Sequence, residues 1–130
     1  MDWLYHRSVF NFDSMTDLNK DLRQYLDQNY SLHIPRSTKK ERAFDGTIKW
    51  MIDQGKSQAI EAVYIPEKNR GTLCVSSQIG CLIDCPFCAT GHQGFNRNLS
   101  SAEIIGQVLL AKQDLQNEFK RDDLITNIVF

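Results

Sequence analysis

This chain has almost no excess charge. Its 15 Lys and Arg are matched by 16 Asp and Glu, for a net charge of −1. A broadly basic surface of the kind that grips nucleic acid is therefore excluded, and any phosphate contact must be local. No apolar run is long enough to cross a bilayer, and no secretory signal pattern is present. A membrane role is thus not expected, and the expected compartment is the cytoplasm. There are no internal repeats and no low-complexity segments. What remains is 130 residues, 42% hydrophobic, enough for one modest domain with its own core. Cysteine is sparse as well, with four residues in all. In a cytosolic chain these read as metal-binding or catalytic rather than as a disulfide framework.

Two regions are expected along the chain. From Asp13 to about Tyr30, Met15, Leu18, Leu22, Tyr25 and Leu26 recur at helical spacing. Ser14-Met-Thr-Asp17 reads as a capping box ahead of them, which predicts a surface helix in a small helical region. Residues 33–40, with Pro35 and mixed polar side chains, read as a linker. The basic run Arg36-Ser-Thr-Lys-Lys-Glu-Arg42 reads as solvated linker too. Residues 1–40 are thus expected to form a helical accessory region and linker, and 41–130 a second region.

In that second region Asp45-Gly46 is a hairpin signal. Residues 47–52 alternate, 53–56 turn the chain, and 58–65 alternate again. Ala59, Glu61, Val63 and Ile65 then share one face, and Ile60, Ala62 and Tyr64 the other. A short strand over 72–76 follows. Ser100-Ser-Ala-Glu103 is a second capping box, ahead of a stripe of Ile104, Ile105, Val108, Leu109 and Leu115. Residues 124–130 open another strand. The expected fold class is α/β: one βα unit with its next strand begun, preceded by a small helical region and β-hairpins.

Between the strand at 72–76 and the helix lie Cys81, Cys85 and Cys88, spaced C-x3-C-x2-C. Positions i, i+4 and i+7 also mark one helix face, and buried cysteine is a common core residue. Pro86 disfavours helix here, and Gly80 and Gly91 bracket the run. Three thiols on one loop suit a metal. Zinc is one reading, with His92 as a fourth ligand, although structural zinc ligands more often come as two separated pairs. Three irons of a [4Fe–4S] cluster are the other, leaving one iron open to substrate. That spacing is the signature of radical S-adenosylmethionine (SAM) enzymes. The cluster would lie at the C-terminal end of its strand, where α/β barrels place their chemistry.

The flanks narrow the class. Arg70-Gly-Thr-Leu-Cys-Val-Ser-Ser-Gln-Ile-Gly-Cys81, Cys88-Ala-Thr-Gly-His-Gln-Gly-Phe-Asn-Arg-Asn-Leu-Ser100 and Ala102-Glu-Ile-Ile-Gly-Gln-Val108 resemble the RlmN/Cfr family of RNA adenine methyltransferases. So do Asn11-Phe-Asp-Ser-Met-Thr-Asp17, Asp45-Gly-Thr-Ile-Lys-Trp50 and Glu61-Ala-Val-Tyr-Ile-Pro66, and the segment Gly94-Phe-Asn-Arg-Asn-Leu99 is similar to RlmN rather than Cfr. The resemblance runs from about Trp3 to Phe130. It implies the start of a radical SAM partial (β/α) barrel, with the chain expected to be a fragment that is inactive alone.

The resemblance also implies a chemistry. A [4Fe–4S] cluster on Cys81, Cys85 and Cys88 and two SAM molecules would serve methylation of C2 of an adenine in 23S rRNA and in some tRNAs. An electron donor such as flavodoxin would supply the cluster. Cys74, seven positions before Cys81, aligns with the thiol that resolves a covalent protein–RNA adduct through a disulfide. Composition alone would make it a buried strand cysteine. Glu61 aligns with the base that removes the C2 proton, and on an apolar strand face it would be partly desolvated. Without the resemblance it reads as an exposed strand glutamate. Phe87 is expected against the cluster or the adenine of SAM. Arg97 and Asn98 either touch RNA or cap the loop. Outside the family, the motif fits a non-enzymatic zinc- or Fe–S-bearing RNA-binding module. A small electron carrier fits less well, because carriers usually give a cluster four cysteines.

Overall fold

The computed structural model describes residues 2–55, 58–68, 70–80, 94–121 and 123–130. The chain divides into two units, Met1–Ile34 and Pro35–Phe130.

The first unit holds α1 (Asp2–Tyr5) and α2 (Lys20–Asn29). The Trp3 indole N–H donates to Asp17 at 2.5 Å, and the Arg7 guanidinium stacks 4.3 Å over the Trp3 ring. Phe12 and Met15 are buried. The helix expected from Asp13 starts seven residues later, at Lys20. The reason is local. The Asn11 carboxamide accepts from the Ser14 N–H at 2.8 Å and the Phe12 carbonyl from the Met15 N–H, so this stretch turns instead of capping. The cap is Asn19, whose Oδ1 accepts from the Leu22 N–H at 2.7 Å.

The second unit is a five-stranded sheet in the order β1-β2-β3-β4-β7, with a separate two-stranded ribbon of β5 and β6. Its strands are β1 (Ser37–Arg42), β2 (Ile48–Gly55), β3 (Gln58–Pro66), β4 (Gly71–Cys74), β5 (Gln78–Ile79), β6 (Arg97–Asn98) and β7 (Asn127–Val129); helix α3 (Ser101–Phe119) links β6 to β7. The first four strands form an antiparallel meander. The β1–β2 turn uses Gly46 at φ +88°, with Asp45 Oδ1 accepting from the Thr47 N–H. Strand β7 then pairs parallel with β4, Leu73 opposite Ile128, across the α3 crossover.

One face of the sheet is the core. Ile48, Trp50, Ile52, Ile60, Ala62, Tyr64 and Leu73 are buried there, with Leu110, Ala111 and Leu115 of α3. The Trp50 indole N–H donates to Asp114 on α3 at 2.9 Å, and the Tyr64 hydroxyl donates to the Leu124 carbonyl at 3.2 Å. The alternation expected in β3 holds: Ile60, Ala62 and Tyr64 point in, and Ala59, Glu61 and Val63 lie on the opposite face. The stripe expected on α3 is displaced. Gly106, Gln107, Leu110 and Ala111 are buried beside Leu115, while Ile105 is exposed.

The run expected as linker is strand β1. All six of its residues are exposed and most are charged, which suits an edge strand that must not recruit further strands. It is fastened to α3 by charge. Lys40 reaches Asp114 at 2.5 Å and Glu118 at 2.8 Å, and Arg42 pairs with Glu118 and lies over the Phe119 ring. Burial pulls the Lys40 ammonium down, but its hydrogen bonds to Asp114 and Glu118 outweigh that and hold it above its ordinary value. Among the described residues no helix is long and apolar enough to cross a membrane.

Candidate active site

The site is built where β4 ends. The chain leaves the sheet at Ser76, and a fully buried glutamine receives it. Gln107 Oε1 accepts from the Ser76 N–H at 2.9 Å, and Gln107 Nε2 donates to the Ser76 carbonyl at 2.8 Å. Two backbone groups that leave the ladder are thereby satisfied from α3. The Ser76 hydroxyl donates to the Glu61 carbonyl at 2.8 Å, tying this strand end to β3.

From there β5 and β6 form a clasp. Gln78 pairs with Asn98 and Ile79 with Arg97; the Asn96 N–H donates to Ile79 and the Leu99 N–H to Ser77. Gly80 has φ +73°, and a Cβ there would lie 1.6 Å from the Gly94 carbonyl oxygen. Only glycine lets the two chain segments meet so closely. Below the clasp, Arg97 makes a bidentate pair with Glu103 at 2.7 and 2.9 Å, and Glu103 also accepts from the Ser100 N–H. Glu103 thus closes the capping box of α3 and anchors β6 at once. The Arg97 guanidinium, and then the Ser100 backbone, hold its carboxyl down at about 2. Of the two readings of Arg97, capping the loop is the one its contacts support.

Cys81, Cys85 and Cys88 lie outside the described residues, as do Phe87 and His92. Among the described residues no group of three His, Cys, Asp or Glu is arranged to hold a metal. What the described part offers is a frame, the paired β5 and β6 on either side of residues 81–93, and the sequence between them carries three soft sulfur donors within eight positions. That donor set and that frame fit an iron–sulfur cluster.

Cys74 closes β4. It is a half-buried free thiol, paired in register with Val63 of β3 and Val129 of β7. Glu61 lies two residues before Val63 on β3, so both side chains occupy the sheet face that α3 does not cover. The structure therefore brings these two residues to one surface, next to the clasp. Glu61 is half-buried and has a charged neighbour. Its side chain is 41% exposed, and its Oε1 lies 3.2 Å from the Lys49 Nζ. Lys49 also meets Glu41 at 3.2 Å, and Glu41 meets Lys39 at 2.6 Å. Hydrogen bonds to Glu41 and Glu61 raise the Lys49 ammonium above its ordinary value.

Gln107, Lys49 and the clasp escaped the sequence reading. A glutamine inside an apolar helical stripe is a signal for Gln107; a lysine flanked by hydrophobic strand neighbours is only a weak one for Lys49.

The described fold is a parallel βαβ unit, β4-α3-β7, with the three-cysteine stretch of the sequence lying between β4 and α3. A crystal structure of a radical SAM methyltransferase from Sphaerobacter thermophilus superposes with a TM-score of 0.80 at 37% identity, covering 98% of this chain and 37% of that one. Residues 1–32 match the ribosomal RNA large subunit methyltransferase N-terminal domain family. The dual-specificity RNA methyltransferase RlmN of Halorhodospira halophila (strain DSM 244 / SL1) is 51% identical over 130 residues, 100% of this chain and 35% of the relative. RlmN of Francisella tularensis subsp. novicida (strain U112) is 50% identical over 128 residues, 98% of this chain and 34% of the relative. The chain belongs to the RlmN family, as its motifs led one to expect, and spans about a third of the length of these relatives.

Proposed function

We propose that this chain forms part of a radical SAM methyltransferase that modifies C2 of an adenine in 23S rRNA and in some tRNAs. Cys81, Cys85 and Cys88 would hold a [4Fe–4S] cluster. When bound, the cluster and SAM supply the one-electron and methyl-group chemistry. The chain's own residues supply the rest. The Glu61 carboxylate accepts the proton that leaves adenine C2. The Cys74 thiolate attacks a protein sulfur joined to the RNA through carbon; an S–S bond forms, the S–C bond breaks, and the carbon leaves with the bonding pair and takes up a proton to become the methyl group of the released RNA. Gln107, Ser76 and the β5–β6 clasp hold the end of β4, which bears Cys74 and leads to the cysteine segment, and the Ser76 hydroxyl ties that end to Glu61 on β3.

The observation supporting this reading is the shared open face of Glu61 and Cys74 beside the clasp. It is tested by anaerobic loading of the chain with iron and sulfide, followed by metal and acid-labile sulfide analysis. Four irons and four sulfides per chain are expected by analogy with [4Fe–4S] sites, with loading lost in Cys85→Ala. Zinc without sulfide, or full iron and sulfide in Cys85→Ala, would sink it and favour the zinc-bearing RNA-binding module.

A further inference from the structure

Across β1, β2 and β3, four side chains of alternating charge form a row on the face that carries Cys74. Lys39 meets Glu41 at 2.6 Å, Glu41 meets Lys49 at 3.2 Å, and Lys49 meets Glu61 at 3.2 Å. Register explains the row. Glu41 is directly opposite Lys49, and Lys49 is opposite Val63, which puts Glu61 on the diagonal. Diagonal neighbours are within reach only of long side chains, which lysine and glutamate are. Among the described strand residues the remaining charge on this face is Asp53, whose Oδ1 accepts from the Gly55 N–H of its own turn. Lys49 is therefore the cation that Glu61 meets, and Glu41 holds Lys49 from the far side.

We propose that Lys49 is the positioning residue of Glu61: clamped between Glu41 and Glu61, it fixes the carboxylate on the open face that bears Cys74. This rests on the reading of Glu61 as the base. A half-exposed glutamate has three side-chain torsions to settle, and a base works only within hydrogen-bond reach of its proton. Exposed ion pairs contribute little to stability, so the expected value of this one is orientation. Lys49 makes the contact from an interior strand whose neighbouring residues, Ile48 and Trp50, are fully buried. Its backbone is paired on both sides, to β1 and β3, and its ammonium meets a carboxylate on each.

Two measurements test this. In the 130-residue chain, the Lys49 titration is followed by NMR of its Cε. Its midpoint is expected to fall in Glu61→Gln and, separately, in Glu41→Gln. An unchanged midpoint in Glu61→Gln would overturn the clamp. Turnover is then measured in an enzyme where these residues replace the matching third of the Halorhodospira halophila RlmN. Lys49→Met should lower kcat about tenfold with KM for RNA unchanged, because misorientation at that scale costs rate rather than binding. Lys49→Arg should recover most of the loss, and the melting midpoint should stay within about 2 °C throughout. In a Glu61→Gln background, Lys49→Met should add nothing. An equal loss in both backgrounds, or a rise in KM alone, overturns the proposal and leaves the base reading standing. Normal product formation by Glu61→Gln alone removes the base reading, and this proposal with it.

Discussion

Replacing Glu103 by Gln isolates the charge at the foot of the clasp. Glutamine can still occupy the third position of a capping box, so shape and one backbone contact to Ser100 survive. What goes is the bidentate pairing with Arg97. The fall of the Glu103 carboxyl from 4.5 to about 2 caps the worth of its ionised contacts; at ~1.36 kcal/mol per decade that ceiling is ~3 kcal/mol. Arg97 is 43% exposed and Glu103 28%, so solvent screening reduces the expected loss at pH 7 to about 1–2 kcal/mol. The sign follows from linkage. A carboxyl depressed on folding stabilises fully above its unfolded value of 4.5, and that contribution fades as pH falls through about 2. Urea unfolding of both proteins, monitored by the far-ultraviolet signal at several pH values, should show the gap narrowing between 4.5 and 2. A gap that stays constant from pH 7 down to the bottom of that window would refute the reasoning.

Three other outcomes are expected. Gln107→Leu keeps the volume but leaves the part-buried Ser76 N–H and carbonyl without their side-chain partner; it should cost about 1–3 kcal/mol in chemical denaturation, and a change under ~0.5 would contradict the anchoring of Ser76 by Gln107. Gly80→Ala drives a Cβ to 1.6 Å from the Gly94 oxygen. It should open the clasp and abolish iron and sulfide loading while amide spectra of β2 and β3 stay in place; normal loading would mean the close approach is dispensable. Cys74→Ala, placed in the RlmN hybrid enzyme, should load its cluster normally yet accumulate protein–RNA adduct on denaturing gels, and turnover without adduct would exclude the resolving role.

Legibility in the sequence followed how local each cause was. The Asp45-Gly46 turn, the alternation of β3 and the Ser100–Glu103 box depend on neighbours in the chain, and all appear where the residues suggest. The start of α2 was misplaced because Ser14 and Asn19 are both competent caps. The choice was made by Asn11, which draws the Ser14 N–H into a turn. Strand β1 hid behind its charges, since an edge strand held by Asp114 and Glu118 needs no apolar alternation. On α3 two apolar stripes compete, and the one carrying Gln107 was buried because a strand end 31 residues earlier needed its amide. Of the candidate site, Glu61 and Cys74 could be named from motif, but their common face depends on the register of β3 with β4. The Lys49 neighbour depends on the register of β2 with β3.

The clasp has a consequence in chain entropy. Gly80 and Gly94, which flank residues 81–93, lie side by side, and that point is held by the backbone pairing of β5 with β6. Closing a segment of this length costs about 2 kcal/mol in lost freedom. Because β5 and β6 meet that cost, the effective concentration of the three thiols for one another is raised before a ligand arrives. The sheet, for its part, is insulated from what happens between the two glycines. Doubling the segment would add only ~0.6 kcal/mol to its closure, so insertions between residues 81 and 93 should leave the register of β4 with β7 undisturbed.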